Sequence, residues 1–566
     1  MPLLSLPPEL FHQIISTLSN CDIKSLRLTC RRLCDVARLR LSRVFLSANP
    51  LNIRVFRTVA EHPLFRQQVT EIVWDDAFLI DDPTPEPDPY NVDAVIGSDD
   101  EEEVNNNCPK WFVTRCKNNL DELSVRMDRN EDGWYNVERA AQQDARPSLW
   151  TCWQYYQNLL AQQAEVLIRQ SDVEALVYGL RRFPALERIT ITPAAHGWLY
   201  QPLYETPMIR AFPKGFNYPI PHGWPTAEEG DPTPEAEDWG TLPENVKEQW
   251  RGVRLVLRAL AQHPDHRVVE LILDVNQLDT GLNCTIFHQP CEEVENLVAL
   301  LRRPGFRRLD LPLIVRGQEY EEWPAFRNGN LRRALGEAPS LEHLSLYTTI
   351  EVDSRSSRFH FTSLQTIFPV AGWSGLQTLK LSRFIVIQDD VISLLEQLST
   401  LQVIELSFLG FLDNGGNYRD LLDEIRERFR WSERDPESRP KLIVAVAPWP
   451  PRPGLGIWLE EEVHSFLYDH GRNPFSIFRD APNQVPQGTG TLRDSFEPGH
   501  ERPYFGSCKF LSTAGIENRR NTRVFRELYD YVRGENWNDY RDSYETQAYH
   551  FFGGLEHKTH PEVKYW

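Results

Sequence analysis

Ala338 to Leu346 reads APSLEHLSL, and the way its leucines fall decides what the body of this 566-residue chain is. Leu344 and Leu346 alternate as residues on one face of a strand do, and Leu341 is an anchor just ahead of them. The same apolar-x-x-apolar-x-apolar spelling occurs at Leu186, Ile189 and Ile191, at Val268, Leu271 and Leu273, and at Phe306, Leu309 and Leu311. It returns at Leu376, Leu379 and Leu381 and at Leu401, Ile404 and Leu406, with Val69, Ile72 and Trp74 as a candidate earlier copy. Segments of helical period separate the copies, among them YYQNLLAQQAEVLIRQSDVEALVYGLRRF, CEEVENLVALLRR and DDVISLLEQLS. A strand, a helix and a parallel strand cannot bury their faces alone, but stacked units share one core.

Unit starts at 306, 341, 376 and 401 lie 35, 35 and 25 residues apart. With this spacing and spelling the body resembles an irregular leucine-rich-repeat solenoid. The asparagine that family carries after its strand is replaced by Thr349, Phe384 and Leu409, so no buried asparagine ladder is expected. The fallback is a nonrepetitive α/β domain.

The N-terminus is spelled differently. In LLSLPPELFHQIISTLSNCDIKSLRLTCRRL, Leu3 to Leu33, Pro7 and Pro8 suit the first turn of a helix, with Ser5 as its cap. Leu10, Phe11, Ile14, Ile15 and Leu18 then recur every three to four residues. Asp22 is placed to cap a second helix with Ile23 and Leu26, and Cys30, Leu33, Cys34, Ala37 and Leu41 suggest a third. Three helices in about 40 residues have more apolar surface than they can hide, so the rest of the chain or a partner should cover it.

Leu6-Pro7-Pro8-Glu9-Leu10, followed by Ile14, Leu18, Asp22, Leu26, Leu28 and Cys30-Arg31-Arg32-Leu33, resembles the F-box motif in order and spacing. Leu33 stands where many F-boxes carry tryptophan. The run RVFLSANPLNIRVFRTVAEHPLFRQQVTEIVWDDAFL, Arg43 to Leu79, is similar to the segment after the F-box in a large group of fungal F-box proteins. The resemblance implies docking onto a Skp-type adaptor and cullin scaffold of a ubiquitin ligase, through Leu6, Pro7, Leu10, Ile14, Leu18, Leu26, Leu28, Cys30 and Leu33. The solenoid and tail would then hold an unknown protein substrate, and the chain would need no catalytic residue. The competing expectation is a scaffold whose F-box-like helices only cap the solenoid.

The expected organisation is an α/β chain: an F-box at 1–46, a connector with a candidate first repeat at 47–80, an acidic insert at 81–107, a solenoid at 108–447 and an aromatic-rich cap or recognition tail at 448–566. Asp81 to Asn107 contains acids and no Lys or Arg, so it should repel itself and stay disordered; Ser98 there stands ahead of Asp99, Asp100 and Glu101. Pro213 to Pro243, rich in Pro, Gly and acid, reads the same way. Pro448, Pro450, Pro451 and Pro453 make a stiff break before the tail.

A formal charge of −20 opposes nucleic acid or anionic lipid as a partner. Residues 1 to 46 go the other way, with seven basic side chains against three acidic ones, which suits an acidic protein. No run approaches the ~20 apolar residues of a membrane span. Nine scattered cysteines fit a reducing compartment, cytoplasm or nucleus. No cofactor or metal is expected: Cys284, His288 and Cys291 lack a fourth zinc ligand. Gly488 to Thr491 lacks the lysine of a phosphate loop, and the adjacent Asp469 and His470 are common in exposed loops.

Overall fold

The computed structural model describes residues 7–18, 20–81, 108–129, 134–226, 233–350, 362–448, 454–478, 481–497 and 501–504. The acidic insert beyond Asp81, with Ser98, lies outside them, as do Ser5, Leu6 and the aromatic run after residue 504.

Helices α1 (Pro8–Thr17), α2 (Asn20–Thr29) and α3 (Arg31–Val36) form an N-terminal bundle. Strands follow: β1 (Arg43–Leu46), β2 (Glu71–Asp75), β3 (Arg188–Thr192), β4 (Glu270–Leu273), β5 (Leu282–Asn283), β6 (Arg308–Ile314), β7 (His343–Thr348) and β8 (Thr378–Ser382). The chain continues through β9 (Ile385–Val386), β10 (Val403–Ser407), β11 (Gly410–Phe411), β12 (Lys441–Val446), β13 (Leu455–Trp458), β14 (Thr491–Asp494) and β15 (Arg502–Pro503). One 13-stranded sheet runs β1-β2-β3-β4-β6-β7-β8-β10-β12-β13-β14-β15, with β5 beside β6; β9 and β11 pair separately. Strands β1 to β12 of this sheet are parallel, and β13 to β15 turn antiparallel.

The repeated spelling sets the register. Ile72, Ile189, Leu271, Leu309, Leu344, Leu379, Ile404 and Leu442 are successive partners across neighbouring strands, and all are buried. The anchor ahead of each copy, from Leu186 to Leu401, is buried too. A backbone device recurs with them: one carbonyl at each strand entrance accepts two N–H groups from the next unit. Val269 O takes Arg307 and Arg308, Arg307 O takes Glu342 and His343, and Glu342 O takes Gln377 and Thr378. At one of the positions where asparagine is missing, Thr349 Oγ1 accepts the Val315 N–H at 3.2 Å.

Helices line up in the same order, Pro50–Glu61, Ser171–Arg182, Arg251–Gln262, Glu292–Leu301 and Asn330–Gly336 each touching the next. Their apolar stripe faces the sheet, as Val253, Val256, Leu257 and Leu260 show, while Arg258 reaches out to Glu292 on the next helix at 2.6 Å. Such exposed pairs add only ~0–1 kcal/mol.

Four expectations change. The sheet begins at Arg43, inside the span expected for the bundle. The described residues of 108–187 add no strand: helices Lys110–Arg129 and Leu149–Arg169, with the loop that carries Phe216 and Tyr218, build a second core of Phe112, Trp153, Tyr156, Phe216 and Tyr218. Pro213 to Pro243 is packed where described, because its aromatic residues find partners. Phe216 stacks on Tyr218 at 4.8 Å, and Trp239 meets Trp250 edge-on at 5.5 Å. Finally the sheet continues past the proline break, and the loop after β14 returns to the first half of the molecule. Asp494 pairs with Arg126 at 2.7 Å, Glu497 with Arg139 at 2.9 Å, and Ser495 exchanges two hydrogen bonds with Asn276 beyond β4. Phe496 is buried there against Ala194 and Leu278.

Candidate partner-binding surface

The bundle closes around Phe11, Ile15, Ile23, Leu33 and Ala37, with Leu18, Leu26 and Cys30 packed at its margin. This core shares no residue with the main one. Pro7 precedes the first helical residue, and Asp22 lies inside the first turn of α2, not at its cap, since that helix begins at Asn20. There its carboxylate meets the positive end of the helix. The Asn20 side chain fastens the bundle to its exit: Nδ2 donates to Arg40 O at 2.6 Å, and Oδ1 accepts the Arg40 N–H at 2.9 Å. The Arg40 guanidinium donates back to Ser16 O and Leu18 O, and Arg27 to Ala37 O at 2.7 Å. Internal duties therefore use Arg27 and Arg40, and Arg43 joins the sheet by its ion pair to Glu71. Lys24, Arg31, Arg32 and Arg38 face solvent.

The apolar residues divide. Phe11 and Ile15 turn inward, but Leu10 is 49% exposed, Ile14 41%, Leu28 88% and Val36 52%. A stripe of period three to four spans two adjoining helix faces, and the bundle fills only one. Of the residues expected at a partner surface, Pro7, Leu10, Ile14 and Leu28 are exposed, Leu18, Leu26 and Cys30 are half-buried, and Leu6 lies outside the described residues. Leu33 is a correction: it is buried in the bundle and supports the surface from behind. Val36 is exposed as well, though the motif did not single it out.

The other chemistry-bearing residues sit in structural settings. The Cys284 thiol is pushed well up by burial and the Cys291 thiol to about 11, while His288 Nε2 lies 3.2 Å from Gln318 Oε1. Among the described residues, no group of three His, Cys, Asp or Glu side chains is placed to hold a metal. Gly488 and Gly490 adopt left-handed turns at φ 84° and 82°. The His464 and Asp469 side chains meet at 3.4 Å, both largely exposed.

Sequence reasoning missed a buried polar cluster at the end of β2. Asp76 accepts indole N–H bonds from Trp74 at 3.2 Å and Trp224 at 2.8 Å, and the Gly252 N–H at 2.9 Å. Beside it Asp75 lies 3.8 Å from His196, whose other ring nitrogen is 2.7 Å from the Tyr218 hydroxyl. Burial raises Asp75 to about 7 and lowers His196 to about 3. Residues from four distant segments meet here, a juxtaposition no local motif records. The paired aspartates at a strand end were its one visible trace.

A family model for the F-box domain matches residues 3–44, the span of the bundle. No curated protein matches the chain. Among the described residues, no helix is long and apolar enough to cross a membrane.

Proposed function

We propose that the chain is a substrate receptor of a Skp-cullin-F-box ubiquitin ligase, docking on a Skp-type adaptor through the bundle and holding a protein substrate on the sheet body. The observation that carries this reading is the exposed set Leu10, Ile14, Leu28 and Val36 on a bundle whose own core is already filled. Helices that merely capped the body would bury this set against it. The matched F-box domain supports the same partner. The body, read as a leucine-rich-repeat-like solenoid with its tail, contributes substrate binding and proximity, and the ligase complex supplies the transfer.

The test is a triple change, Leu10→Ala, Ile14→Ala and Leu28→Ala, in the full chain with purified Skp-type adaptor. Central apolar anchors are worth about 2 kcal/mol each, or about thirtyfold in affinity. Expected is a variant with unchanged circular dichroism that no longer copurifies with adaptor. Full adaptor binding by the variant would overturn the reading.

A further inference from the structure

The face of the sheet opposite the helices has a charge order of its own. Side chains alternate along a strand, so the rows between the buried ladders point away from the helix layer. One register row runs Arg43, Glu71, Arg188, Glu270, Arg308, His343 across six neighbouring strands, cation beside anion until the last step. Ion pairs join Arg43 to Glu71 at 2.7 Å and Arg188 to Glu270 at 2.6 Å. Arg308 pairs with Asp310 on its own strand at 2.7 Å, and farther along the sheet Lys380 pairs with Glu405 at 2.8 Å.

The partners in each pair lie at different depths. Arg43 is 44% exposed over Glu71 at 9%, and Arg188 35% over Glu270 at 8%. Arg308 is 31% exposed over Asp310 at 19%, and Lys380 39% over Glu405 at 12%. Carboxylates form the floor and cations the surface. A chain of net charge −20 thus turns a row of cations to solvent on this face. Each floor carboxylate holds its cation upright and lowers the entropy lost when a second anion binds. Arg188 uses Nε and Nη2 on Glu270, which leaves Nη1 to donate outward.

The spacing is regular. In one register row the cations Arg43, Arg188 and Arg308 stand on β1, β3 and β6, alternate strands of the sheet, and Lys380 stands on β8, the next alternate strand, two residues farther along it. Strands lie about 4.8 Å apart, so cations recur about every 10 Å; three residues of an extended chain, at about 3.3 Å each, cover the same distance.

We propose that this face docks an extended acidic protein segment lying across the strands, with Asp or Glu at about every third position. The proposal deepens the receptor reading and rests on it for the partner being a protein chain; the binding it describes needs no adaptor.

Fluorescence anisotropy on the full chain tests it. The probe is a short labelled peptide of repeating Glu-Thr-Ser; its comparators are the same composition with all glutamates grouped at one end, and a Lys-Thr-Ser repeat. The spaced peptide should bind about tenfold tighter than the grouped one, weaken as salt rises, and leave the lysine repeat unbound. The double variant Arg188→Gln, Arg308→Gln should lose about tenfold or more, and Arg181→Gln, Arg182→Gln, on an exposed helix end, should lose nothing. Failure of the spaced peptide to bind, equal binding of the grouped or lysine peptide, or indifference to the sheet-face substitutions would overturn the proposal. So would tighter binding of a single-stranded oligonucleotide. If the double variant misfolds, the peptide comparison on the unaltered chain still decides. Adaptor copurification from the same preparation reports separately on the receptor reading.

Discussion

The bundle and the sheet body use similar apolar residues and end with opposite surfaces. In the body, Leu344 and Leu379 have sheet partners on both sides and a helix layer above, and neither is exposed beyond 1%. In the bundle, Leu28 is 88% exposed although its neighbours in the motif are packed. The difference lies in what a neighbour supplies. Each body unit has its open face covered by the next, whereas among the described residues the bundle has three helices and no second layer. Apolar surface left over in the first region would be an error of folding; in the second it is the face on which the proposed docking rests.

The largest effect expected from this contrast is in the body. Leu344→Ala or Leu379→Ala should each cost about 2–5 kcal/mol, read from urea unfolding, because a filled core cannot close over the void. Near-neutral results at both would break the contrast. Next comes Gly252→Ala: the added Cβ would lie 2.4 Å from both Asp76 Oδ1 and Trp74 Nε1. Forcing that contact should cost about 1–3 kcal/mol and release Trp224, visible as a change in tryptophan fluorescence.

A smaller effect tracks pH. The folded Asp75 carboxyl, raised from 3.8 to about 7, keeps a proton that the unfolded chain has lost, so its contribution is complete below pH 4 and is lost as pH rises to 7. His196 runs the other way: lowered from 6.5 to about 3, its contribution is complete above pH 6.5 and is lost as pH falls towards 3. Asp75→Asn should therefore gain on the unaltered protein in urea midpoint between pH 4 and 7, and a gap constant with pH would refute the assignment. The smallest effect sharpens the contrast: Leu28→Ala should leave stability within about 0.5 kcal/mol, as exposed positions do.

The strands were legible because a leucine at every second position, preceded by an anchor, has few other uses; Leu341 to Leu346 falls where its spelling puts it. The two faces of α1 were not separable, since Leu10 and Phe11 belong to the same stripe and only the packed bundle chooses between them. The second core escaped notice because its aromatics, from Phe112 to Tyr218, have no common period and come from helices and loops alike. Pro213 to Pro243 misled through composition: prolines and acids dominate its average, but Trp224 and Trp239 decide its structure. The charge order on the sheet needed the register, for Arg188 and Glu270 are 82 residues apart in sequence.

Strands laid down in chain order, each fastened mainly to the one before, resemble the teeth of a zipper, and a zipper opens from a free end. The loop after β14 removes that freedom. Because Asp494 and Glu497 are fastened to the helices of Arg126 and Arg139, and Ser495 and Phe496 to residues just beyond β3 and β4, tension drawn through the C-terminal strands is carried straight to the first third of the sheet. Under a pulling force the strands between β4 and β14 bear no load until that buckle parts, and they should then yield together in one large step where an open row would yield in many small ones.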